Sequence, residues 1–127
     1  MRTNLWVSLG LLAIVIVFGV WSSSTMDSLS QRYISAAEEL LTLTQGEQWQ
    51  RADEVTGAYR ERWEETSAWL QMLIVHEELD AVDMALKRIH AGIQAQEQSL
   101  CYEGCAELRE NAEHLSHRDA FTLGNIL

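Results

Sequence analysis

Cys101 and Cys105 are the only cysteines of the chain, and they stand one helical turn apart. His114 and His117 follow at a spacing that suits the second half of a Cys2His2 zinc site, where thiolate and imidazole share one metal. The cysteine spacing lies at the outer limit for such a site, and the short stretch between the two pairs would need a sharp turn. A disulfide is a second reading, open to a domain that faces an oxidising compartment. A regular helix would strain that bond, although Gly104 could loosen the turn. The third reading is burial, since a free cysteine behaves as a small apolar side chain. Burial ranks first, the disulfide second and metal last, so no cofactor is expected.

His76-Glu77-Glu78-Leu79-Asp80 resembles the helix of a zinc protease but lacks its chemistry. That motif needs two histidines one turn apart and a glutamate base, and Asp80 occupies the second ligand position. His76, Asp80 and Asp83 share one helical face and form a weak ligand set. The preferred reading is a helix start, where acidic side chains favour the positive end of the helix. Trp49, Tyr59, Trp63 and Trp69 could line a groove. Large rings at helical spacing are more often core, because they bury the most area per residue. No Gly-rich phosphate loop, Ser-His-Asp set or catalytic carboxylate pair is visible, so an enzyme is not expected.

These residues must be positioned by helices. The chain has no proline and seven glycines in 127 residues, and good helix formers dominate after residue 27. A first helix is expected from Ser28 to Thr44, stopped by a left-handed Gly46. A second begins near Glu47 and carries Trp49, Ala52, Thr56, Tyr59, Trp63, Thr66, Leu70 and Leu73 at alternating spacings of three and four, a heptad seam. Gly57 within it could admit a second backbone. The run Trp69 to Val75 is apolar on too many sides for a free helix, which suggests a buried turn or a contact surface. A third helix covers His76 to Ser99 and a fourth Leu100 to Ser116. Beyond them lies an aperiodic apolar tail containing Phe121, Leu123 and Ile126. The tail either folds over the bundle or presents the Leu127 carboxylate.

Residues 5–21 read LWVSLGLLAIVIVFGVW, without a charge. Leu5, Trp6, Leu12, Ile14, Ile16, Phe18 and Trp21 define a membrane anchor about 26 Å long with tryptophans at both ends. A cleaved signal peptide competes, but the run exceeds the usual apolar region of one and closes on a bulky ring. The organisation expected is a tip at 1–4, an anchor at 5–21, a polar linker at 22–27 and an acidic helical domain at 28–127. Arg2 before the anchor and Asp27 after it favour an N-terminus in the cytoplasm and a domain outside the cell membrane. Nineteen acidic residues against nine lysines and arginines, a net charge of −10, argue against nucleic acid as a partner.

Gln48-Trp49-Gln50-Arg51-Ala52, Trp63 fourteen residues after Trp49, Leu73 to Asp80 and the ending Phe121 to Leu127 together resemble the domain of unknown function 4363 family. The resemblance implies small membrane-anchored proteins of Clostridia-like bacteria with an all-helical domain. It implies no catalytic residues. The expected fold is all-α, one transmembrane helix followed by a three- or four-helix antiparallel bundle. The expected role is a single-pass interaction or scaffold module whose partners are the bilayer and either another protein or a second copy. A metal- or redox-responsive domain and a secreted helical binding protein are the alternatives.

Overall fold

A computed structural model describes residues 2–72, 74 and 76–126, with side chains described as far as Leu115. Most of the described residues lie in four helices joined by short turns, with no strand among them: α1 Arg2–Gln45, α2 Trp49–Leu70, α3 His76–Ala95 and α4 Gln98–Ile126. The part of α1 beyond residue 21 packs against α4 and α2, α4 packs against α3, and α3 packs against α2. Neighbours run antiparallel. The start of α4 reaches the end of α1, where Gln98 Nε2 donates to the carbonyls of Thr44 and Gln45 at 3.4 Å each. Late α3 meets early α2 through Gln94 Nε2 donating to Asp53 Oδ1 at 3.0 Å.

The core follows from helical periodicity. Met26, Leu29, Tyr33, Ala37 and Leu40 of α1 close on Ala52, Trp63 and Leu70 of α2. Val82, Leu86, Ile89 and Ile93 of α3 and Cys101, Cys105, Leu108 and Leu115 of α4 complete it. The charged faces stay in solvent and form surface ion pairs. Arg88 bonds Glu107 across α3 and α4, and Arg109 reaches Glu38 across α4 and α1 at 3.6 Å. Such exposed pairs contribute about 0–1 kcal/mol each, so the apolar interior carries the fold.

Several expectations about boundaries change. Residues 22–27 form no linker, because α1 runs through them unbroken and buries Ser22 and Met26. Extending an existing helix needs no new nucleation, so a few serines with modest propensity do not stop it. Gly46 is not the left-handed residue. That position is Glu47, with φ 58°, and Gln96 adopts φ 53° at the matching place after α3. Both stops are Schellman turns, closed by Gln48 N–H to Leu43 carbonyl and Glu97 N–H to Gly92 carbonyl at 2.9 Å each. Gln96 also explains why α3 ends at Ala95 and α4 starts at Gln98, earlier than expected. Gly57 faces open solvent and admits no second backbone. Instead of an aperiodic tail after Ser116, the helix continues to Ile126.

Candidate functional site

The two cysteines lie in the seam where α3 and α4 approach closest, and both are buried free thiols. Glycines on each helix make that approach possible. A β-carbon on Gly92 would stand 2.8 Å from Cys101 Sγ and 3.0 Å from its backbone nitrogen. One on Gly104 would stand 2.7 Å from Ile89 Cγ1 and 3.1 Å from its nitrogen. Cys101 and Cys105 are thus small buried residues at a tight helix crossing. Burial pushes the Cys105 thiol up to about 12, with a smaller contribution from Cys101, and burial also raises Cys101. A thiol held protonated is a poor nucleophile and a poor metal ligand.

His114 is exposed, away from that seam, and the His117 side chain lies outside the described residues. His76 and Asp80 are exposed, and Asp83 pairs with Lys87 at 2.9 Å along its own helix. Among the described residues no group of three His, Cys, Asp or Glu side chains converges as a metal site would require. The metal- or redox-responsive reading is therefore not favoured.

The aromatic residues separate into three classes. Trp63 is 2 % exposed, and its ring meets the Tyr33 ring edge to face, with centroids 5.1 Å apart. Tyr59 is half-buried, contacts Tyr33 at 6.1 Å, and donates its hydroxyl to Glu39 Oε2 at 3.0 Å. Trp49 is half-buried against the core. Of the second-helix seam, Ala52, Thr56, Trp63, Thr66 and Leu70 face the core, with Trp49 and Tyr59 half-buried beside them. Trp69 lies off the seam, 39 % exposed, with its ring centroid 6.3 Å from that of Trp21 at the end of the apolar run. Leu73 lies outside the described residues.

Tyr33 is central to this cluster and carries its one polar liability. Its hydroxyl is buried and, among the described residues, has no hydrogen-bond partner. Burial pushes its pKa up to about 12, partly opposed by Arg32 and Arg62. Tyr33, Cys101 and Cys105 are all raised above their ordinary values of 10.0 and 9.0, so folding favours their neutral forms. Their contribution to stability is fully present below about pH 9 and is lost as pH rises towards 12. The unfolding temperature of the full chain in detergent should hold through neutral pH and fall steadily from pH 9 to pH 12. A flat profile across that window, followed by circular dichroism, would contradict the burial of these groups.

The apolar run occupies the first half of α1. None of its most apolar stretch is covered by the rest of the protein, and the helix is long and apolar enough to cross a membrane or to act as a signal sequence. Where α1 meets α2 at that end, an open groove of about 900 Å³ runs from Ile16 and Val17 past Trp21 and Trp69 to Thr66 and Arg32. It is apolar at one end and polar at the other. A family model described as Domain of unknown function (DUF4363) matches residues 20–126. No curated protein and no solved structure matches the chain.

Proposed function

The chain belongs to the DUF4363 family, and we propose that it is a membrane-anchored helical module that binds another protein at the cell membrane. One observation carries this reading. The uncovered apolar run and the first core element of the bundle are the same continuous helix, α1. Cleavage near Ser24 would cut that helix beside the buried Ser22 and remove the ring contact between Trp21 and Trp69. The anchor thus serves the fold as well as the location, which favours its retention over a signal peptide. The domain then stands outside the cell, with the N-terminal tip inside.

The partner is a protein with a basic face. The charged side chains that cover the bundle are predominantly acidic, and a net charge of −10 repels a second copy while steering an oppositely charged surface. Tethering supplies local concentration, so individually weak contacts suffice. Crosslinking in native membranes, followed by intact mass, tests this. A full-length chain crosslinked to a different protein, with a yield that falls at high salt, is the expected result. A chain that begins after residue 24 would remove the anchor from the reading, and a strictly monomeric band at all salt concentrations would remove the partner.

A further inference from the structure

We infer that the turn between α2 and α3 is a second membrane contact, seated in the lipid headgroup layer beside the anchor. The inference rests on the proposed retention of the anchor in the bilayer. The antiparallel packing brings the α2–α3 turn to the end of the bundle from which the apolar half of α1 emerges, and the contact between Trp21 and Trp69 fixes their relative level. Trp21 closes the uncharged run, the position where an indole prefers the interface. Trp69 sits against it and turns part of its own ring outward.

The composition of the turn follows the same logic. Residues 66–75 contain no charged side chain, although charges are frequent in α2 and α3 on either side. Within that stretch Met72 is 87 % exposed, a large apolar side chain presented outward at this end. Ile74 packs half-buried against the core and ties the turn to the bundle. On α1, no charge occurs between Arg2 and Asp27. The end of the uncharged run of α1 and Trp69 at the end of α2 lie at one level, and no charge between Arg2 and Asp27 or between Glu65 and His76 stands there to repel lipid phosphates. Exposed apolar surface in this position fits a bilayer interface, and the Trp–Met combination offers one amphipathic ring and one flexible apolar chain to it.

The test uses the full chain reconstituted in vesicles of phosphatidylcholine and phosphatidylglycerol. Nitroxide labels are placed singly through Met72→Cys, Ile14→Cys and Gln50→Cys. Collisions with oxygen, which partitions into lipid, are compared with collisions with a water-soluble nickel chelate. Met72 and Gln50 are exposed side chains, so labelling there leaves the core intact. The expected result is an oxygen-to-nickel ratio at Met72 several-fold above that at Gln50 and below that at Ile14. A ratio at Met72 equal to that at Gln50, with Ile14 still in lipid, overturns the second contact and leaves the anchor standing. Shielding of Met72 from both reagents overturns it in favour of a protein contact. An aqueous Ile14 overturns the anchor and this inference together.

Discussion

Gly104→Val is expected to lower the stability of the bundle by about 3 kcal/mol, with a fall in unfolding temperature on the order of 15 °C. At this crossing even a single added carbon lies 2.7 Å from Ile89 Cγ1 and 3.1 Å from the Ile89 nitrogen. Ile89 is fully buried and cannot swing away, so relief requires α3 and α4 to separate. Separation opens gaps around Cys101, Cys105 and Leu108, which costs dispersion contacts as well. Gly57→Ala supplies the matched control. That site is open, and alanine there should raise stability by about 1 kcal/mol through helix propensity alone. Thermal unfolding of both variants by circular dichroism separates the two causes. Equal effects at Gly57 and Gly104 would mean that helix propensity, and not the crossing distance, governs both positions.

Trp63→Ala should cost about 4 kcal/mol, the range for deleting a buried large ring. The ring is almost wholly buried and forms the edge-to-face contact with Tyr33 that ties α2 to α1. A loss of that size is a large part of the stability of a domain this small. Tyr33→Phe distinguishes ring from hydroxyl. It keeps the aromatic contact and removes a buried hydroxyl without a hydrogen-bond partner, so stability should hold or rise. Chemical denaturation of the two variants checks both signs. If Trp63→Ala left stability unchanged and abolished crosslinking to the partner, the second-helix seam would be a docking surface after all.

The periodic parts of the chain are legible in the sequence. At helical spacing Leu29, Tyr33, Ala37, Leu40, Leu41 and Thr44 form one stripe and Leu79, Val82, Leu86, Ile89 and Ile93 another, and all are buried except Leu41, which is half-buried. A stripe at helical spacing reports burial directly, whichever partner covers it. The stops were harder to read because Glu47 and Gln96 adopt a conformation that sequence habits assign to glycine, at a cost of about 1–2 kcal/mol each. Gly46, one residue away, is the residue that helix-stop rules select. The role of Gly92 and Gly104 was likewise hidden, since a glycine at a crossing and one in solvent, such as Gly57, look alike in one dimension. Trp69 breaks the heptad of its helix and still has a defined neighbour, Trp21, which lies 48 positions away in the chain. Local spacing carries no information about a contact of that kind.

The unbroken course of α1 also sets a height. From Ser22 to Gln45 the helix rises about 35 Å, with no glycine or proline in that span to act as a joint. With the anchor seated as proposed, the Glu47 and Gln96 turns ride at the top of a stiff mast, fixed in elevation above the lipid. A partner carried on a flexible linker could sweep a wide volume, whereas this tip sweeps little more than a ring set by the tilt of its spar. With the anchor so seated, a partner bound at that tip would be held at one fixed elevation above the lipid.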